Sequence, residues 1–208
     1  MAHQKANGQI NGLVGGMVFY ESNGQKLVRS SPTKNDDSNT PAQQAHRNRF
    51  RATSTFLKPF RELVKTTFAG FPGKTNAFGA AMAYNMKFGF QRLALQEAID
   101  PSLACISFGI VPLPHSIEVR RTIAGLEFTW DTTLMPGATD HDRVVPVISF
   151  DHPAPAIYDL RGTSRHLGHC VIEIPYAGVP VYAWLLVTSI RVKEVSKSIY
   201  LGKLGAAI

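Results

Sequence analysis

The chain has 208 residues, 44% hydrophobic and 18% charged, a balance that excludes wholesale disorder and permits one large domain or two small ones. Lys and Arg number 22 against 15 Asp and Glu, leaving a formal charge of +7 and a pI near 9.6, so anionic partners have to be considered. The two cysteines, Cys105 and Cys170, are too few for a disulfide scaffold or a four-cysteine zinc site, and both stand in apolar runs as small hydrophobic residues.

The opening MAHQKANGQING has no apolar core of the signal-peptide kind, so synthesis in the cytoplasm is the expectation. Final placement in a particle, or at the cell surface by a signal-less route, stays open. The longest apolar runs, such as VPVYAWLLV at 179–187, are about half the ~20 residues a membrane helix needs, so no membrane span is expected.

Residues 8–30 read GQINGLVGGMVFYESNGQKLVRS. MVFYES and QKLVRS are strand-like, and Asn23-Gly24 between them is a strong hairpin signal. The glycines before them, Gly8, Gly12, Gly15 and Gly16, suggest bulges or close approach of another backbone. A lone hairpin is marginal in water, so this arm must lean on its own domain or on a neighbouring subunit. Strand addition to a second copy would use Gly12, Gly15, Gly16, Val18 and Tyr20.

After the polar connector SPTKNDDSN comes TPAQQAHRNRF. Thr40 is a good N-cap, Pro41 suits the first helical position, and Gln43 completes a capping box. Ala42, Ala45, Ala52, Phe56, Phe60, Leu63 and Val64 recur at helical spacing as an apolar stripe, and Pro59 should kink or split the helix near residue 58. A second helix is expected from about Asn76 to Gln91, with Phe78, Ala81, Met82, Asn85 and Phe88 along one face; the two make a helical hairpin.

From about residue 103 the texture changes to short period-two runs: LACISFGIV, SIEVRRTI, GLEFTWD, RVVPVISFD, AIYDLR, GHCVIEIPY, PVYAWLLVTSIRV and SKSIYLGKL. Strands at this cadence imply a β-sandwich or small barrel, the last two closing as a hairpin. The fold expected is therefore α+β. Residues 1–102 form a β-hairpin arm plus a two-helix region, and residues 103–208 an immunoglobulin- or fibronectin III-like β-sandwich.

The order of these pieces, a glycine-rich hairpin ending in VRSSP, then TPAQQAHRNRF, AMAYNMKFGF, ISFGIVPLP, GLEFTW and SKSIYLG, resembles a bacterial domain family of unknown function over nearly the whole chain. The spacing of Thr40, Gln43, Arg47 and Phe50 also resembles a pattern in phage- and prophage-associated proteins. The resemblance implies a layout and brings no catalytic residues.

Basic side chains concentrate in the first helical region, where Arg47, Arg49, Arg51, Lys58, Arg61 and Lys65 face Glu62 alone. On one continuous helix, 47, 51, 58 and 65 fall along one side, a stripe suited to phosphates. A nucleic-acid reader would also want exposed aromatic rings, and the phenylalanines here fit the apolar face better. Arg47, Arg49 and Arg51 serve as well for charged contacts between subunits.

His166, His169 and Cys170 suggest a metal, but on a strand His169 and Cys170 point to opposite faces. Asp140, His141, Asp142, Asp151 and His152 surround one strand without the spacing of a calcium loop. No nucleophile elbow, phosphate loop, dinucleotide fingerprint or metalloprotease helix occurs. The expectation is a non-enzymatic, self-assembling structural subunit of a phage-like particle, tube or filament, without metal or cofactor. The alternative is a nucleic-acid or anion-binding protein using the basic helix at 41–68.

Overall fold

The computed structural model describes residues 3–4, 10–32, 40–73, 76–91, 98–150, 155–175, 178–189 and 194–205. Chain contacts divide it into two units, Met1–Gln43 and Gln44–Ile208. The expected boundary at 102/103 falls inside the second unit.

The first unit is an antiparallel four-stranded ribbon in the order β1 (His3–Gln4), β2 (Ile10–Val14), β3 (Met17–Ser22) and β4 (Gln25–Ser30). Both hairpin turns have two central residues at positive φ: Gly15 and Gly16 at 54° and 81°, and Asn23 and Gly24 at 51° and 76°. That is the I′ turn, whose twist matches the flanking strands. The Asn23-Gly24 hairpin is as expected. Gly15-Gly16 is a second turn of the same kind, and not a place where backbones crowd: a Cβ at either position would meet nothing within 4 Å.

The second unit begins within α1 (Pro41–Leu57). The capping box forms: Gln43 N–H donates to Thr40 Oγ1 at 3.4 Å, and Thr40 N–H donates to the Gln43 side chain at 3.3 Å. Pro59 splits the helix as expected, with a 3-10 turn at Lys58–Phe60 before α2 (Arg61–Thr67). In α3 (Ala77–Phe88) Asn76 is the N-cap, its side chain accepting from Gly79 N–H at 2.7 Å. This helix stops at Phe88, short of Gln91, and Phe88 itself is exposed.

Two antiparallel sheets complete the unit. One has the order β10 (His169–Ile172), β6 (Gly125–Thr129), β5 (Glu118–Thr122). The other runs β12 (Ile199–Leu204), β11 (Val181–Thr188), β7 (Arg143–Phe150), β8 (Ile157–Tyr158), with β9 (Thr163–Ser164) also on β7. The expected closing hairpin is the β11–β12 pair. Pro146 is tolerated inside β7 because β8 pairs at 147 and 148 and β9 at 143 and 144, leaving that flank without a ladder beside it.

Alternate residues of the two central strands enter different cores. Val144, Ile148 and Phe150 of β7, with Val181, Ala183, Leu185 and Val187 of β11, join Leu126 and Phe128 of β6 and Trp130 just beyond it. Val145, Val147, Trp184 and Leu186 instead join Leu57, Phe60, Leu63, Val64, Phe68, Ala81 and Met82 from the helices. Phe60 meets Trp184 edge-on at 5.6 Å, and Tyr200 lies 5.3 Å from the same indole. The larger sheet is thus covered on both faces, by helices on one and by the smaller sheet on the other. The unit is α+β, with helices and antiparallel sheets sharing one body.

LACISFGIV is not a strand. Residues 104–111 form no ladder, and their backbone is met largely by side chains from the helices and by the segment before β12. The last residues of the PVYAWLLVTSIRV run, 190–192, lie outside the described residues.

Candidate functional site

Two surfaces stand out, one in each unit. In the ribbon, the registers Leu13↔Val18 and Tyr20↔Leu27 place these four side chains on one face. Val14↔Met17 and Phe19↔Val28 occupy the other, with Gly12 opposite Phe19. Arg29 extends over the Tyr20 ring at 5.9 Å. None of residues 10–32 is buried.

Of the expected strand-contact residues, Gly15 and Gly16 are spent on the turn. Val18 and Tyr20 lie on β3, which is already flanked by β2 and β4, so they present side chains and no free backbone edge. Gly12 is paired to Phe19 on one side, while β1 covers β2 at Asn11 and Ile10. Among the described residues β4 pairs on one side only.

The basic residues are distributed differently from the expected stripe, because the break at Pro59 takes α1 and α2 out of common register. Lys58 sits in the 3-10 turn. Lys65, on α2, bridges Glu62 at 2.7 Å. Arg61 stacks on Phe78 at 5.5 Å and Arg49 on Phe90 at 5.0 Å, so both guanidinium groups pack against aromatic rings. Arg47 and Arg51 remain together on one exposed face of α1.

The apolar stripe is also shorter than expected. Ala42 and Ala45 are exposed, and burial on α1 starts at Thr53, whose hydroxyl donates to Arg49 C=O at 2.8 Å. Phe50 is 53% exposed, in contrast to Phe56 and Phe60, which pack on Trp184. An open groove of about 540 Å³ is lined by His46, Arg47, Phe50, Arg51, Ser54 and Thr55. A second, of about 640 Å³, shares Arg51 and Thr55 and reaches Phe56 and Ile99. The signal for this exposed ring was present in sequence: the residues at 46–49 and 51 are all polar.

The metal-like clusters serve local structure. Asp142 is buried and accepts from the Thr139 N–H and hydroxyl, both at 2.8 Å. On β10 His169 is exposed and Cys170 half-buried, on opposite faces as the period-two reading requires. Burial pushes the Cys105 and Cys170 thiols above their ordinary value. Among the described residues no three His, Cys, Asp or Glu gather as ligands; Asp151 and His152 lie outside them. No helix among them is long and apolar enough to cross a membrane.

A family model described as a family of unknown function, DUF6266, matches residues 8–202. The chain belongs to this family. No curated protein and no solved structure matches it. In this DUF6266 member the matched span takes in β2, β3 and β4 of the ribbon and the helix-and-sheet unit as far as β12. The family description assigns no chemistry to either surface.

Proposed function

We propose that this protein is a non-enzymatic structural subunit that self-associates through its N-terminal ribbon, as a component of a phage-like particle, tube or filament. The observation that carries this reading is a four-stranded sheet with apolar side chains on both faces and no buried residue among 10–32. Met17 and Val28 are 53% and 55% exposed on one face, and Leu13 and Tyr20 49% and 39% on the other. A sheet needs an apolar face covered to be stable in water, and a unit of this length has too little interior to supply that cover itself. A second ribbon is the occupant of matching chemistry, with the β4 edge and the two apolar faces as its contacts. In this reading the facing sheets of the second unit form an immunoglobulin-like body that spaces one ribbon contact from the next.

Light scattering across a wide concentration range tests it, with negative-stain microscopy of the same samples. The full chain assembles. Substituting Val18 and Tyr20 with Lys, or deleting residues 1–30, gives a monomer whose helix-and-sheet unit melts at an unchanged temperature. A full-length protein that stays monomeric at every concentration sinks the proposal.

A further inference from the structure

We infer that the surface where Tyr84, Lys87 and Phe88 of α3 meet Phe108 and Lys197 docks on anionic lipid membranes. It belongs to the second unit alone and goes beyond self-association by the ribbon. Tyr84, Lys87 and Phe88 are spaced i, i+3 and i+4, so they share one side of α3. The Tyr84 ring lies 4.8 Å from Phe88 and 5.5 Å from Phe108, and Phe71 closes on Phe108 at 4.8 Å. Lys197, from the segment before β12, stands over the Tyr84 ring at 5.9 Å, and Lys87 stands over Phe88 at 5.0 Å. Four separate stretches of chain thus build one face.

The cluster is a surface and not a core. Phe88 has nearly half its area in water, Phe71, Tyr84 and Phe108 are half-buried, and both lysines are exposed. Ile110, two residues on from Phe108, is 80% exposed. α3 and residues 104–111 and 195–199 hold no acidic residue. Among the described residues neither ammonium group pairs with a carboxylate. Exposed rings beside uncompensated lysines suit the boundary between acyl chains and head groups. The rings settle at the edge of the hydrocarbon, while each lysine lays its stem along them and carries its charge to lipid phosphate.

Shape decides between a membrane and a polypeptide. A peptide takes a groove or a free strand edge. The two grooves described above run along α1, and none of these residues lines either. The backbone here is committed too: Phe108 N–H donates to Thr67 C=O at 3.2 Å and Val111 N–H to Val195 C=O at 3.1 Å. A lipid surface needs neither groove nor edge. The chain's formal charge of +7 draws it towards an anionic one.

Cosedimentation of the full chain with vesicles tests the assignment, using phosphatidylcholine alone and phosphatidylcholine mixed with phosphatidylglycerol. Binding is expected to the mixed vesicles, weakening as salt rises, and far less to phosphatidylcholine alone. Lys87→Ala and Lys197→Ala each weaken it about fivefold at physiological salt. Phe88→Ala weakens it about 4- to 12-fold at every salt concentration, because the lost contact is apolar. Arg161→Ala removes the same charge outside the face and stays within about twofold of the parent. The lysines are exposed, so their variants keep the parent melting temperature, which separates lost binding from lost folding. Three results would each overturn the inference: no binding to mixed vesicles at low salt, equal losses from Arg161→Ala and Lys197→Ala, or displacement by soluble polyglutamate with affinity indifferent to Phe88→Ala. The second would reduce the binding to net charge, and the third would assign the face to acidic chains.

Discussion

Asn85 grips the backbone of Cys105 at both of its polar groups: its side-chain oxygen accepts the Cys105 N–H at 2.8 Å and its amide donates to the Cys105 C=O at 2.8 Å. The remaining amide proton goes to Ala81 C=O at 2.9 Å. A helical side chain thus takes the place of a neighbouring strand, and it is fully buried in doing so. The following residues are held in the same manner. Ile106 N–H donates to Ser198 Oγ at 3.0 Å, the Thr67 hydroxyl donates to Ile106 C=O at 2.7 Å, and the Ser107 hydroxyl donates to Ser196 C=O at 2.6 Å. The segment that joins helices to sheets is therefore fastened by three side chains from distant parts of the second unit, Thr67, Asn85 and Ser198, and by its own Ser107.

Asn85→Ala should be among the most damaging substitutions in this unit. It leaves a buried N–H and a buried C=O without partners, each costing about 1–3 kcal/mol. A loss of ~2–4 kcal/mol in chemical denaturation is expected. Asn85→Leu should do no better, since the replacement fills the space and pairs neither group. A loss below about 0.5 kcal/mol would show that the clamp is dispensable.

Arg165 is a second buried polar anchor, and a more costly one. Its guanidinium donates to Pro112 C=O at 2.7 Å, and its own backbone carbonyl accepts from the Trp130 indole at 2.7 Å. Among the described residues its Nε and Nη2 have no hydrogen-bond partner. Burial pulls its pKa below the ordinary value, and the charge of Asp142 offsets only part of that. Arg165→Met keeps the aliphatic stem and removes a poorly compensated buried charge. It should therefore cost less stability than Arg165→Ala, which also opens a cavity, by about 2 kcal/mol. Equal losses for the two variants in urea melts would mean that the charge, and not the stem, does the holding.

Asp100 gives the protein a pH dependence of known sign. Its carboxylate accepts from the Ser102 hydroxyl at 2.7 Å, from the Ser102 N–H at 2.8 Å and from the Gln91 amide. The Ser102 hydroxyl first, with the Gln91 amide and the Ser102 N–H, holds the carboxyl below its ordinary value against the opposing effect of burial. A carboxyl more acidic when folded than unfolded stabilises fully above its unfolded value, and that contribution fades as pH falls through the folded one. Asp100→Ala should cost about 0.5–1 kcal/mol at neutral pH, a small figure because the carboxyl is open to solvent. The gap between parent and variant should close on acidification below about pH 4. A gap that stays constant down to acid pH would rule the carboxylate out as the source.

How far the sequence foretold this molecule depends on how local the physics is. The Thr40–Gln43 capping box, the break at Pro59 and the Asn23-Gly24 turn are each decided within a few residues, and each appears in the structure. LACISFGIV misleads because an apolar run looks alike whether its amides meet a strand or side chains. Here the partners are 20 residues away at Asn85 and 92 away at Ser198, beyond the reach of any pattern. The two-sided burial of β7 and β11 did leave a trace. VVPVISF and VYAWLLV are nearly unbroken apolar runs, as strands covered on both faces are, whereas a two-layer sandwich asks for alternation. Ala42 and Ala45 extend the helical stripe by spacing alone, and both are exposed. Alanine fits a buried or an exposed helix face equally well, so it is weak testimony about which way a helix turns.

Gly125 separates space from conformation in the smaller sheet. Its φ is 142°, and a Cβ there would stand 2.1 Å from Ile172 C=O, on the strand that pairs with β6. Backbone cannot swing aside as a side-chain tip does, so Gly125→Ala has to push β10 away from β6 and adopt an unfavourable φ as well. Gly70 is the matched control: a Cβ there meets nothing within 4 Å, and its φ lies outside the positive range. Gly70→Ala should fall within about 0.5 kcal/mol of the parent, and Gly125→Ala should lose about 2 kcal/mol or more. Hydrogen exchange adds a local readout. In Gly125→Ala the faster exchange should be confined to amides of β6 and β10, with β7 and β11 still protected. Uniform loss of protection would mean instead that the two sheets of this unit melt as one and that the β6–β10 contact is no separable part of it.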